Sequence, residues 1–173
     1  MKILIIGKTK SGKTTFGQNL ANKLNYEFHS MSEMFRNLEK DNQLLTNNSL
    51  SLLQENWNCN INYIQNKFNK KIEDFNDIHS TNGIGLHDNI ILEGFRNPYE
   101  FFKFLDQNTH VIILNKINLD YKDNFEKDGL DAILFSLKFL QNQLGFKYKK
   151  IFYHDYEELN KSIELSGWKK WIE

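Results

Sequence analysis

"KILIIGKTKSGKTT", residues 2–15, is the stretch on which the fold is read. Its first part, "KILII" at 2–6, is a short β-branched apolar run of the kind carried by a strand buried on both faces. Its second part fits G-x-x-x-x-G-K-[ST], with Gly7 first and Gly12-Lys13-Thr14 last. Beyond Thr15, the apolar positions Phe16, Leu20 and Leu24 recur on one helical face. A buried strand, a glycine-bounded loop and a helix in that order are the setting this motif needs. The glycines let the backbone wrap, so that several N–H groups along Gly7, Lys8, Thr9, Lys10, Ser11, Gly12, Lys13, Thr14 and Thr15 turn toward a phosphate chain. The dipole of the following helix adds to the attraction for an anion. In this motif Lys13 reaches the terminal phosphates, and the Thr14 hydroxyl is a ligand for Mg2+.

Working outward, "YEFHS" at 26–30, "NIILE" at 89–93, "HVIILN" at 110–115 and "KKIFYH" at 149–154 read as further strands. Helical spacing joins Leu130, Ile133, Leu134, Leu137, Leu140 and Leu144, stopped by Gly145, and a last helix is expected over 156–165. Asn97, Pro98 and Glu100 have the form of a helix start, which explains the chain's single proline. Strands alternating with helices imply an α/β fold: a parallel sheet flanked by helices in three layers, α/β/α, of the P-loop NTPase type. The expectation is one domain over 1–173. A long amphipathic stripe from Leu50 to Phe75 belongs to a helical insertion at about 38–85.

Ligands of parallel sheets bind outside the carboxyl ends of the strands. Glu93 ends "NIILE", so it faces the same crevice as the phosphate loop and is the candidate Mg2+-side carboxylate. The chain has 22 lysines and arginines together, and only Arg36 and Arg96 are arginine. Guanidinium grips phosphate with two parallel hydrogen bonds, which a lysine cannot do. Arg36 follows the second strand and Arg96 lies just past Glu93, so both belong at the carboxyl edge of the sheet.

Composition narrows the classes. Formal net charge is zero, which argues against nucleic acid and acidic membranes as partners. No apolar run approaches the roughly 20 residues of a membrane span. The opening "MKILIIGKTK" has too short an apolar run for a signal peptide, so a cytoplasmic protein is expected. A lone cysteine, Cys59, excludes an intramolecular disulfide.

The phosphate loop, "SMSEMFR" at 30–36 and "LEGFRNP" at 92–98 together resemble the P-loop nucleoside monophosphate kinases of the adenylate-kinase-like group. "GFRNP" is closer to the dephospho-coenzyme A kinase-like and phage deoxynucleotide kinase branches. The resemblance implies ATP and Mg2+ as cofactors and transfer of the γ-phosphate to a nucleoside or deoxynucleoside monophosphate. It implies that Lys13, Arg36, Glu93 and Arg96 are the catalytic set, with Arg36 and Arg96 on the acceptor phosphate or the transferring group. It implies a nucleotide and a phosphorylated small molecule as partners, and a monomer or homodimer. Glu93 replaces the family's usual aspartate. The resemblance also implies a short lid, at about 116–129; the segment 115–129 has no arginine, so Lys116, Lys122 and Lys127 are the cations available to close over ATP.

Other readings stay open. Dephospho-coenzyme A or another small metabolite is an alternative acceptor. "LNKIN" at 114–118 suggests a GTPase-like switch, but Asn118 stands where guanine-reading loops carry an aspartate. A non-catalytic nucleotide-binding module is the remaining alternative. His154-Asp155 is read as a strand-end turn or a part of an adenine pocket, and Trp168 and Trp171 as a packing anchor.

Overall fold

Strand β1 (Lys2–Gly7) runs through the centre of a five-stranded sheet in the computed structural model of the chain, which describes residues 1–30, 89–95, 101–102 and 104–164. The other strands are β2 (Glu27–Ser30), β3 (Ile90–Glu93), β4 (Thr109–Lys116) and β5 (Lys147–Tyr153). Their order is β2-β3-β1-β4-β5, and every neighbouring pair is parallel. Three helices are described: α1 (Lys13–Leu24), α2 (Asn124–Leu144) and α3 (Tyr156–Glu164). The expected parallel α/β architecture of P-loop NTPase type is therefore the one observed.

The apolar runs of β1, β3 and β4 explain their central places. Ile3, Leu4, Ile5, Ile90, Ile91, Leu92, Val111 and Ile112 are wholly buried, as strands covered on both faces must be. Alternate residues serve opposite faces. Ile3, Ile5, Ile91, Ile112, Leu114, Ile151 and Tyr153 join Phe16, Leu20 and Ala21 of α1 and Leu159 and Ile163 of α3 in one core cluster. The intervening residues, Leu4, Ile6, Leu92, Val111 and Ile113, are buried too, and α2 supplies a separate buried row of Leu130, Ile133 and Leu137. Each fully buried side chain of this size contributes about 2 kcal/mol. Register brings Gly7 level with Leu114 and Ile5 level with Glu93, so the phosphate loop and the acid leave the same edge.

Helix α2 begins six residues before the stripe that foretold it. Asp123 is its N-cap, and its side chain accepts from the N–H of Glu126 at 2.8 Å. "DNFE" is thus a capping sequence, and the second half of the segment 116–129 is the first turn and more of a helix. At the far end Gly145 closes α2 in the left-handed conformation, as expected. Leu144, counted in the apolar stripe, is exposed, as are Phe135 and Phe139, whose rings meet at 5.3 Å.

The chain divides into two compact units, Met1–Ser32 with Asp88–Glu173, and Glu33–His87. Every element above belongs to the first. The insertion at 38–85, the stripe from Leu50 to Phe75, Cys59, the helix start at Asn97-Pro98, Trp168 and Trp171 lie outside the described residues. Among the described residues no helix is long and apolar enough to cross a membrane.

Candidate functional site

The phosphate loop is shaped by what its residues cannot avoid. A Cβ on Gly7 would lie 2.6 Å from the carbonyl oxygen of Leu114, so any other residue here would push β1 and β4 apart. Lys10 takes a left-handed φ of 65°, and the N–H of Ser11 donates to the Lys8 carbonyl at 3.1 Å, folding the chain back on itself. Gly12 follows at φ 80°, a conformation that costs a side chain about 1–2 kcal/mol. It is the N-cap of α1, and glycine has no side chain with which to cap the helix start. The N–H groups of the first turn are left for a ligand or water.

Lys13 opens α1 and is half-buried, not the exposed loop residue its setting suggests. Its Nζ donates to the Lys8 carbonyl at 2.7 Å, across the mouth of the loop. Burial lowers its pKa, and the fields of Glu93 and Glu126 offset part of that. Thr14, one residue on, donates from Oγ1 to Oε1 of Glu93 at 3.1 Å. Glu93 is 2% exposed, an unusual place for an acid unless it serves a cation. The sheet order makes this meeting possible, because β3 lies directly beside β1. A hydroxyl and one carboxylate are hard oxygen donors that suit Mg2+, which keeps several waters and takes few protein ligands. The residues present therefore fit the ion.

A second group of residues leans on the loop from the segment between β4 and α2. Lys8 Nζ donates to the Leu119 carbonyl and stands 4.5 Å from the centre of the Tyr121 ring. Both the N–H and the hydroxyl of Thr9 donate to Oε1 of Glu126, whose Oε2 accepts from the Lys122 N–H at 2.6 Å. Burial and then Asp131, which accepts from the Tyr121 hydroxyl at 3.1 Å, raise the Tyr121 pKa. From the other side, Tyr153 at the end of β5 donates its hydroxyl to the Ser11 carbonyl. Neither Glu126 nor Tyr153 belongs to a sequence motif of the site. The one local signal for Glu126 is the capping sequence at Asp123; for Tyr153 there is none.

A family model described as AAA domain matches residues 3–124, well over half of the chain. The chain belongs to the AAA domain family. The matched span runs from β1 through the phosphate loop, β3 and β4 to the start of α2. It includes Gly7–Thr15, Glu93 and the positions of Arg36 and Arg96, whereas Glu126 and Tyr153 lie beyond it. No curated protein sequence matches the chain. Among solved structures it is similar to the shikimate kinase of Acinetobacter baumannii in complex with shikimate, at 17% identity and TM-score 0.49, covering 96% of this chain and 90% of that one. It is similar also to the shikimate kinase of Aquifex aeolicus vf5, at 18% identity and TM-score 0.49, covering 96% and 95%. An unliganded sugar kinase from Janibacter sp. HTCC2649 follows at 13% identity and TM-score 0.41, covering 94% and 92%. Likeness at this level is a resemblance and carries no argument about activity.

Of the residues expected at the site, the structure brings Gly7–Thr15 and Glu93 together. Arg36 and Arg96 lie outside the described residues. Lys116 is half-buried at the end of β4, and Asn118 is exposed and left-handed at φ 61° in the turn that follows. His154 and Asp155 form the bend between β5 and α3. Asp155 accepts from the Glu158 N–H at 2.9 Å, and Glu158 accepts from the His154 N–H at 2.8 Å. The strand-end turn is the reading this geometry supports.

Proposed function

We propose that the chain is an ATP-dependent, Mg2+-dependent kinase that transfers the γ-phosphate to a phosphorylated small molecule, a nucleoside or deoxynucleoside monophosphate. The hydrogen bond from Thr14 to the buried Glu93, next to Lys13, carries this reading. It joins the two halves of a metal–phosphate site from residues 79 apart in the sequence. Phosphoryl transfer needs little covalent chemistry from a protein, since catalysis is mainly positioning and electrostatic stabilisation. The first-turn N–H groups of α1 and the Lys13 ammonium receive the β- and γ-phosphates. Thr14 and Glu93 hold Mg2+, directly or through water, and the ion when bound neutralises charge on the phosphate oxygens. Arg36 and Arg96 hold the acceptor phosphate and the transferring group. The acceptor is chosen by the region at about 38–85, and the segment at about 116–129 covers the donor side.

The nucleotide acceptor rests on the resemblance of "SMSEMFR" and "LEGFRNP" to nucleoside monophosphate kinases. The test is ADP formation from ATP with a panel of acceptors. Transfer to one or more nucleoside monophosphates is expected. Transfer only to dephospho-coenzyme A or to an unphosphorylated metabolite would replace that acceptor and keep the kinase. Hydrolysis of GTP in preference to ATP, with no acceptor, would replace the kinase with a switch. Arg96→Lys is expected to lower kcat/KM tens-fold or more, about 2–4 kcal/mol, because it keeps the charge and loses the fork.

A further inference from the structure

The end of β5 lies 142 residues from the phosphate loop in sequence, yet the Tyr153 hydroxyl donates to the Ser11 carbonyl. We propose that Tyr153 is a positioning residue of the phosphate loop, fixing the Ser11–Gly12 peptide so that the Gly12 N–H faces the nucleotide phosphates. The proposal rests on the reading of this loop as the phosphate site.

Peptide geometry carries the first step. The described residues contain no cis peptide bond, so the carbonyl and N–H of the Ser11–Gly12 unit point in opposite directions. A carbonyl held toward the Tyr153 hydroxyl turns the Gly12 N–H away from that hydroxyl. Glycine makes such a constraint necessary. Gly12 sits at φ 80°, but glycine takes positive and negative φ about equally readily. Turning this one peptide over would reverse the N–H at small local cost. Some contact outside the loop has to choose between the two orientations.

Tyr153 is well placed to do so. Its side chain is 1% exposed and belongs to the core cluster with Leu159 and Ile163, so the ring cannot swing. Burial raises the pKa of its hydroxyl, which stays a donor across the working range of pH. Ser11 is itself 2% exposed, and its N–H is already committed to the Lys8 carbonyl. A Cβ on Gly12 would touch Tyr156 and Leu159 at 3.6 Å, so the start of α3 completes a floor beneath the loop.

Tyr153→Phe removes only the hydroxyl. In the full chain, calorimetric titration is expected to show ADP and ATP bound about ten-fold more weakly, the worth of about one hydrogen bond. Leu159→Ala loosens the same floor and keeps the hydroxyl. It is expected to lower the melting temperature more and nucleotide affinity less. Unchanged affinity in Tyr153→Phe, or an equal loss in Leu159→Ala, would overturn the proposal. Should Tyr153→Phe not fold, the wild-type chain labelled at tyrosine Cζ and glycine nitrogen gives the answer by NMR. ADP is expected to shift the Gly12 amide and the Tyr153 Cζ together, and a Gly12 shift with Tyr153 unmoved would overturn the linkage. A wild-type chain that does not bind ADP, or binds it equally well as Lys13→Ala, would instead overturn the phosphate-site reading, and the proposal with it.

Discussion

Two strand-to-helix corners leave the same edge of the sheet, and they begin their helices in opposite ways. At the β5–α3 corner, Asp155 and Glu158 satisfy backbone donors with side-chain carboxylates, at 2.9 Å and 2.8 Å. At the β1–α1 corner the cap is Gly12, which has no side chain to take those donors. Helix α2 behaves like α3, with Asp123 as its cap. A capped start is a finished piece of structure. An uncapped one, with its dipole and free N–H groups, is a receptor for an anion. The phosphate loop is therefore distinguished by the polar groups it leaves unmet, as well as by its glycines.

That contrast predicts where function and stability separate. The largest effect is expected from Lys13→Ala: a fall in phosphoryl transfer of at least about a hundred-fold, the scale on which losing one charge-stabilising group is felt. Its melting temperature should change little, because among the described residues the Lys13 ammonium donates one hydrogen bond, to the Lys8 carbonyl within the same loop. Activity near that of the wild type would remove the phosphate loop from the chemistry. Glu93→Gln comes next. It keeps an acceptor for Thr14 and loses the charge, so Mg2+-dependent kcat should fall about ten- to a hundred-fold, roughly 1.4–2.7 kcal/mol, with metal-free nucleotide binding preserved. Equal loss with and without the metal would mean that Glu93 serves the fold alone.

At the capped corner the pattern should reverse. Asp155→Ala is expected to cost about 1 kcal/mol in chemical unfolding and to leave turnover unchanged. A marked loss of turnover would show that the two corners are not independent. The smallest effect lies furthest from either corner. Burial pushes the Asp106 pKa up, but its bonds with Lys2 and Thr109 outweigh this and hold it below the usual value. A depressed carboxylate contributes stability above its unfolded pKa, near 4, and loses it as pH falls through the lower folded value. Asp106→Asn should thus lower stability slightly at neutral pH, leave it nearly unaltered in strong acid where Asp106 is protonated anyway, and so flatten the acid side of the stability curve. The side chain is 45% exposed, so solvent screens the pair. A steeper acid loss in the variant would contradict the sign.

Local pattern alone made most of this molecule readable. "KILII", "NIILE" and "HVIILN" read as buried strands, and the motif between Gly7 and Thr14 locates the phosphate loop from sequence alone. Glu93 was legible for the same reason: a charge that ends an apolar run must sit at a strand's end. The early start of α2 was legible in principle, since "DNFE" is a local capping signal. Other features had no local cause. That Glu93 meets Thr14 depends on β3 lying beside β1, a choice of strand order made by the packing of the whole sheet. That Glu126 meets Thr9, and Tyr153 the carbonyl of Ser11, depends on chain segments 117 and 142 residues apart. Periodicity and propensity act over a few residues, so they determine which elements form and where each one ends. Which side chains from distant elements share a hydrogen bond is decided only when the elements bury their apolar faces against one another.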